Sequence, residues 1–590
     1  MNMESSPTWL DAVLARLPQA RVAVFGDFCL DAYWSIDPDQ QEKSLETGLP
    51  IQRVRRQGYS LGGAGSVVAN LADAGVGRVH AVGLVGADLF GDMMLRLLGE
   101  RGVEVQGMSR GGGDFQTMVY AKPYVGEREL PRLDFGAFNI LQPAAIARLL
   151  ADLERVAEQC QVVILNQQVP GGISPPEVIA QINGVIARHP ATRFIVDARD
   201  RAGLYRGAIL KFNAHEAARL VGEPQPLDQR IPAARARELA RRLQQQTGQA
   251  VFLTRGERGL LAADGQGVYE VPGIQIVERT DPVGAGDTVV AVLAAVLAGG
   301  GDAATAAKLA NIAASVTVRK LQTTGTASPA ELRAVGPEPD YVYEPELADD
   351  PRQARMLDGG EIELVRDLPE RPRIAHAIFD HDGTISTLRQ GWEAIMEPMM
   401  IRAILGPRFG DADEVLYHQA VDQVRQFIDQ TTGVQTLVQM HGLVEMVRRF
   451  ACVPAGEVLD PAGYKRVYND ELMGLVRARI AKLRRGELAA EDFEVKDARK
   501  LLEALAGRGV KLYLASGTDT QDVVAEAEAL GYAHLFEGRI FGAVGDISVE
   551  TKKLVMRRII QEHQLSGPEF VTLGDGPVEV RAAHKCGGIA

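Results

Sequence analysis

The sequence predicts two α/β domains in tandem, each a mostly parallel sheet with helices on its faces. Three observations predict it. Short apolar runs alternate with helical patterns through residues 21 to 330, the pattern breaks over a stretch rich in proline and acid, and it resumes at residue 373 around a long helical block. A chain of 590 residues is also too long for one hydrophobic core and long enough for two.

Taken in order, RVAVFGD, VHAVGLVG, VVILNQ, RFIVDAR, AILKFN and AVFLTRG each read as a strand followed by a turn. Ligands of such sheets gather at the carboxyl ends of the strands. Asp27, Asn166, Asp197, Asn213 and Gly256 stand at those ends, where a site would be assembled. The segments GPEPDYVYEPELADDPRQ and DLPERPR carry no sustained apolar period and read as a linker. This places a first domain at 1–335, a linker at 336–372 and a second domain at 373–590. The second domain opens with IAHAIFDHDG, yields to a helical block from about 388 to 500, and returns with VKLYLASGT, HLFEGRIFG and FVTLGDG. That order is expected of an α/β core with a helical insertion after its first strand. The final GGIA falls within or just before another core strand, so a truncated C-terminus is expected.

Bulk properties narrow the function. Acidic residues outnumber basic ones 77 to 64, and the net charge of -13 offers no general attraction for nucleic acid or an anionic membrane. Anionic substrates must then be met by local groups. The four cysteines are widely spaced and form no CxxC pair, which argues against a disulfide framework or a zinc site and fits a reducing cytoplasm. MNMESSPTWLDAVLARL reads as an amphipathic helix, not a signal peptide, and the apolar run at 289–300 is too short to span a bilayer.

The octapeptide DPVGAGDT at 281–288 carries the chemistry of the first domain. Gly284 and Gly286 let backbone N–H groups point at a phosphate, the following helix adds its positive end, and Asp287 can take a proton from an attacking hydroxyl. With Ala285 the glycines form a cradle for transferring oxygens. In KFNAHE, Asn213 and Glu216 lie one helical turn apart, placed to hold the water shell of Mg²⁺. Upstream, Asp31 and the glycines Gly62, Gly63 and Gly65 could grip a polyol. Asp27 reads either as a turn tie or as a site residue, and Cys29 and Trp34 as packing residues.

These pieces, together with TRGERG at 254–259, resemble the ribokinase/PfkB family of sugar kinases from about residue 20 to 330, and GDFCLDAYW followed by SLETGLPIQRV is most similar to heptose-7-phosphate kinases. The resemblance implies a ribokinase-like three-layer domain, ATP beside Thr254, Gly256 and Gly259, Asp287 as base, an anion hole at Gly284 to Gly286 and Asp31 on the sugar. Many relatives dimerise, so a homodimer is compatible with it. Ser66 stands where relatives commonly have Asn. Arg132 and Asp134 in PRLDFG match a pair in the heptose kinases, with Arg132 gripping a substrate phosphate.

In the second domain FDHDGT, LYLASGT, ETKKLV and LGDGPVE resemble the four motifs of the haloacid dehalogenase-like superfamily, implying a Rossmannoid core with a helical cap. Asp380 would attack phosphorus, and Asp382 would protonate the leaving oxygen and then activate water. Ser516 would bond the phosphoryl group and Lys552, in preference to Lys553, would balance its charge. Asp575 would complete a Mg²⁺ site with Asp380 and the Asp382 carbonyl. Glu579 replaces the common Asp, and His381 reads as a tolerated variation at a usually apolar place. Trp392 and Met396 to Met400 read as cap core, and RARIAKLRR as a solvated cap face.

The expectation is a bifunctional cytoplasmic enzyme, an ATP-dependent sugar or sugar-phosphate kinase fused to a Mg²⁺-dependent phosphatase. Three alternatives stay open: a simple ribose, fructose or nucleoside kinase, a silent regulatory second domain, and a phosphosugar mutase.

Overall fold

The computed structural model describes residues 8–590 except 38–41, 113, 127, 170, 277–279, 322–323, 344, 347–354, 358–361, 366, 432–435 and 544–550. Side chains at 393, 430, 438, 519, 543, 551–554 and 577 also lie outside the description. The chain divides into two units, Met1–Gln353 and Ala354–Ala590.

The first unit is built on β1 (Arg21–Gly26), β2 (Phe28–Ile36), β3 (Val54–Gly63), β4 (Arg78–Val85), β5 (Glu104–Arg110), β6 (Met118–Val125), β7 (Arg128–Glu129), β8 (Leu133–Phe135), β9 (Val162–Gln167), β10 (Arg193–Ala198), β11 (Ile209–Asn213), β12 (Val251–Thr254), β13 (Leu260–Ala263) and β14 (Val268–Val271). Nine of these form one sheet in the order β14-β13-β12-β11-β10-β9-β1-β4-β5, parallel except at the β12-β13-β14 edge. The interior strands are buried on both faces, so they read as continuous apolar runs. Their side chains alternate between two cores. Val162 and Ile164 join the layer containing helices Ala64–Asp73, Ala285–Ala298 and Ala303–Thr317. Val163 and Leu165 join the layer of helices Pro143–Gln159, Pro176–Arg188 and Ala233–Thr247.

A second sheet in this unit pairs β3, β2, β6 and β7, with β8 also on β6. Asp27 links the two sheets, standing between β1 and β2. Its buried carboxylate accepts from the backbone N–H of Gln168 and Val169 (both 3.0 Å) and Ile173 (2.8 Å). Of its two readings, the turn tie is the one with partners: three backbone amides anchor the pivot where the chain changes sheets.

The stretch expected as a linker has structure of its own. Val342 N donates to Gly273 O and Gln275 N to Asp340 O, and Glu346 contacts the Arg255 and Arg258 guanidinium groups. In the second unit β15 (Arg355–Leu357) and β16 (Ile362–Leu364) form an antiparallel pair. Proline and acid conceal these pairings, since the hydrogen bonds use backbone groups and need no apolar period.

The second unit has a parallel sheet of β17 (His376–Asp380), β18 (Lys511–Asp519), β19 (Ile540–Ala543) and β20 (Phe570–Leu573) in the order β19-β18-β17-β20. Between β17 and β18 stand helices Glu393–Leu405, Glu414–Thr431, Thr436–Phe450 and Pro461–Arg484, with a core of their own containing Met396, Met399 and Met400. Trp392 packs half-buried against it. This is the helical cap inserted after the first strand. Among the described residues no helix is long and apolar enough to cross a membrane.

Candidate active sites

In the first unit, helix Ala285–Ala298 begins after Gly284, which has φ +80° and no side-chain cap. The helix start therefore takes no capping side chain, and while Ala285 N–H donates to Pro282 O at 3.2 Å, the turn presents its remaining N–H groups to an anion. Asp281 shapes the entry: its Oδ1 accepts from Val283 N (3.0 Å) and its N–H donates to Val318 O (2.7 Å). Thr288 holds the helix in place, its hydroxyl donating to buried Asn70 Oδ1 at 2.9 Å. A Cβ at Gly284 would sit 2.9 Å from Thr324 Cγ2 in a left-handed backbone. Gly284→Ala is therefore expected to cost about 1–2 kcal/mol, measured by urea unfolding.

Asp287 lies half-buried in the first turn of this helix. Burial pushes its carboxyl up to about 7, and the charges of Asp197 and Asp31 add to the rise against Lys211 and the Ser66 hydroxyl. A carboxylate poised there suits a general base near neutral pH.

Asp31 is buried on β2, with Oδ1 2.9 Å from Lys122 Nζ and Oδ2 accepting from Thr324 Oγ1 at 3.2 Å. The double glycine lies against it. A Cβ at Gly62 would meet Asp31 Oδ2 at 2.9 Å and Cys29 Sγ at 3.0 Å, and one at Gly63, with φ +54°, would meet Asp27 O at 2.5 Å. The strand–helix junction thus demands glycine at 63, where backbone blocks a Cβ in a left-handed conformation, while Gly62 leaves the Asp31 carboxylate and the Cys29 thiol their places. A cavity of about 270 Å³ adjoins, lined in part by Ser60, Ser66, Arg101, Lys320 and Thr324. Arg132 pairs with Asp134 as the motif implies, its Nε and Nη2 donating at 2.7 and 2.8 Å, and its guanidinium lies 4.4 Å from the Tyr120 ring centroid.

Asn213 and Glu216 form a capping box: Asn213 Oδ1 accepts from Glu216 N at 2.9 Å, and Asn213 N donates to Glu216 Oε2 at 2.8 Å. One Glu216 oxygen is thereby committed to the helix start. Thr254 closes β12, its hydroxyl donating to Phe212 O at 3.1 Å, and Gly256 and Gly259 have φ +60° and +87°.

Sequence reasoning missed Lys211. It stands buried on β11 with Nζ 3.1 Å from Asp197 Oδ1. The available signal was a lysine inside the otherwise apolar run AILKF.

In the second unit, Asp380 ends β17, buried, and its Oδ1 accepts from His381 N at 2.8 Å. Ser516 on β18 is buried and donates to Asp382 Oδ2 at 3.4 Å. The structure thus brings the first two motifs together. A Cβ at Gly383 (φ +80°) would run into the Asp575 carboxylate, so the glycine turn leaves room for that carboxylate beside the motif of Asp380 and Asp382. Lys552 lies in helix Thr551–Glu562, its side chain outside the described residues. Glu579 is buried, and a Cβ at Gly574 would meet its side chain at 2.4–2.8 Å, so it folds back on the turn preceding it.

His381 has a specific setting. It is fully buried, its Nε2 lies 2.9 Å from the Tyr532 hydroxyl, and its Nδ1 lies 3.4 Å from Asp382 Oδ1 and 3.8 Å from Glu526 Oε2. Arg389 joins this cluster, with Nε 3.3 Å from Asp382 and Nη2 2.6 Å from buried Glu526. The polar position that read as a tolerated variation thus belongs to a buried charge network. Arg389→Met leaves Glu526 buried without its guanidinium and is expected to cost about 3–5 kcal/mol in urea unfolding. Adding Glu526→Gln to that variant should recover part of the loss.

Comparison with known proteins agrees with this division. Residues 19–331 match the pfkB family of carbohydrate kinases, and residues 374–587 match the haloacid dehalogenase-like hydrolases. The chain belongs to the pfkB carbohydrate kinase family and carries a second, hydrolase-type enzyme domain. It is similar to the "Bifunctional protein HldE" of Halorhodospira halophila, 36% identical over 345 residues covering 57% of this chain and 69% of the relative. The protein of the same name from Rhodospirillum rubrum is 32% identical over 398 residues, 66% of this chain and 76% of the relative. Among solved structures, Escherichia coli phosphofructokinase-2 in complex with potassium matches at 17% identity and a TM-score of 0.44, over 54% of this chain and 98% of that one. Arabidopsis thaliana ribokinase complexed with ribose and ATP matches at 17% identity and 0.43, over 54% and 99%.

Proposed function

We propose that the first unit transfers the γ-phosphoryl of ATP to a sugar phosphate, with heptose 7-phosphate as the substrate. The observation that carries the phosphoryl-transfer reading is Asp287 in the first turn of an uncapped helix behind Gly284, with its carboxyl lifted to about 7 by burial first and then by Asp197. Asp287 takes the proton of the attacking hydroxyl, the amides at Gly284, Ala285 and Gly286 receive the transferring oxygens, and Asp31 holds sugar hydroxyls. ATP lies beside Thr254, Gly256 and Gly259, and Mg²⁺ carried with the nucleotide supplies charge neutralisation near Asn213 and Glu216. The heptose assignment is supported by the motif resemblance and by the similarity to HldE proteins.

For the second unit the reading is hydrolysis of a phosphate ester through an aspartyl-phosphate on Asp380, with Asp382 moving the proton and Ser516 and Lys552 binding the phosphoryl group. The residues fit a divalent cation: the turn at Gly383 leaves space for the Asp575 carboxylate beside Asp380 and Asp382. Mg²⁺ bound there supplies the positive charge that lets a carboxylate approach a phosphate. In sequence, the kinase phosphorylates the anomeric hydroxyl of heptose 7-phosphate, and the phosphatase removes the other phosphate to leave a sugar 1-phosphate. ADP release by the intact chain, compared across heptose 7-phosphate, fructose 6-phosphate, ribose and a nucleoside, tests the substrate. Heptose 7-phosphate should give the highest kcat/KM, and a higher value for another acceptor would replace it.

A further inference from the structure

Strand register places four side-chain positions in one row beneath the start of helix Ala285–Ala298. Gly26 pairs with Asn166, Asn166 with Asp197, and Asp197 with Lys211, across β1, β9, β10 and β11. Alternation points this row toward the layer holding that helix, because Val24, Ile164, Ile195 and Ile209, each two residues earlier, belong to that core. The row is buried. Within it Lys211 Nζ sits 3.1 Å from Asp197 Oδ1 and 3.0 Å from where a Cβ at Gly286 would lie. The ammonium thus touches the glycine turn from below.

Its hydrogen bonding is incomplete. An ammonium has three donors, and among the described residues only the bond to Asp197 accounts for one. The other Asp197 oxygen and both polar atoms of the Asn166 amide also lack partners there. Burial works against the charge on Lys211, but Asp197, Asp287 and Glu216 outweigh it and hold the amine protonated. The donors among these, the Lys211 ammonium and the Asn166 side-chain N–H groups, lie buried on the side of an uncapped helix start, as a site for an anion requires, while the unpartnered Asp197 and Asn166 oxygens are acceptors.

Resting on the kinase reading above, we propose that Lys211 is a catalytic residue of phosphoryl transfer. Its ammonium contacts the transferring phosphoryl oxygens on the face opposite the amides of residues 284–286, and Asp197 is the positioning residue that aims it. Negative charge spreads over those oxygens as the bond to the leaving ADP breaks and the bond to the acceptor oxygen forms. A fixed buried cation stabilises that charge more than it stabilises ground-state ATP. It also offsets the local excess of carboxylates.

The test uses the full chain carrying Lys211→Met, Lys211→Arg, and Lys211→Met with Asp197→Asn. Lys211→Met should lower kcat by about 100- to 1,000-fold. It should weaken ATP binding more than ADP binding in calorimetry, and Lys211→Arg should recover part of kcat. The double variant removes both charges of the pair, so it should regain thermal stability without regaining kcat. A stable double variant with wild-type kcat, or equal weakening of ATP and ADP in a folded Lys211→Met protein, would overturn the assignment. Should the wild type phosphorylate none of the acceptors, the kinase substrate reading fails by itself, while the ATP-against-ADP comparison still decides whether Lys211 meets the terminal phosphate.

Discussion

Asp287→Asn is expected to lower sugar phosphorylation by about 100- to 10,000-fold, the span typical of losing a positioned general base. The substitution keeps the shape of the side chain and removes its basicity, so nucleotide affinity should change little. The wild-type pH profile makes the assignment sharper. The base acts when ionised, and its carboxyl is raised to about 7, chiefly by burial and then by Asp197. The kcat/KM for phosphorylation should therefore climb with pH and level off above about 7. The same shift has a stability sign. Between the unfolded carboxyl value of about 4 and the folded value of about 7, the folded chain holds a proton that the unfolded chain has released. This group's contribution thus turns less favourable as pH rises through that window. Asp287→Asn should accordingly raise the melting temperature relative to wild type at pH 8 and leave it nearly unchanged at pH 4. An inactive variant without that pH-dependent gain would point to damage elsewhere.

Asp380→Asn should abolish phosphate-ester hydrolysis by about 10,000-fold or more, since an amide cannot form the aspartyl-phosphate and removal of a nucleophile disables the whole constellation. The carboxylate is buried at the end of β17 and receives the His381 N–H. An asparagine fits that volume, so folding should survive. Kinase turnover should stay at the wild-type level in this variant, because the residues of each proposed reaction lie in separate units. Conversely, Asp287→Asn should spare hydrolysis of small phosphate esters. A silent second domain would instead show the same ester hydrolysis before and after Asp380→Asn. A mutase would produce isomerised sugar phosphate without free phosphate.

Which parts of this architecture were readable from residues alone follows from the range of the interactions involved. Strands buried on both faces announce themselves as apolar runs, so the alternation and the inserted cap were visible. The glycine turn was visible too, because Gly284 must adopt a positive φ and the helix follows at once. Long-range pairing was not. Lys211 meets Asp197 only through the register of β10 and β11, and nothing local in AILKFN tells a reader that the ammonium turns toward residue 286. Arg389 and Glu526 are 137 residues apart, so their ion pair leaves no spacing to recognise. Gly62 and Gly63 could be read as ligand-facing glycines, while their neighbours Asp31, Cys29 and Asp27 supply a packing reason that needs the fold. The Arg132–Asp134 pair marks the contrast: its partners stand two positions apart, so PRLDFG shows it directly.

The central claim is that one chain performs two phosphate chemistries in succession, one at Asp287 and one at Asp380. Phosphorus NMR of the intact chain with ATP, Mg²⁺ and heptose 7-phosphate follows both at once. The account predicts that wild type builds an anomeric phosphate and then releases the other as inorganic phosphate, that Asp380→Asn accumulates the bisphosphate, and that Asp287→Asn forms no anomeric phosphate. A bisphosphate that persists equally in wild type and Asp380→Asn, or an anomeric phosphate made equally well by Asp287→Asn, would contradict it.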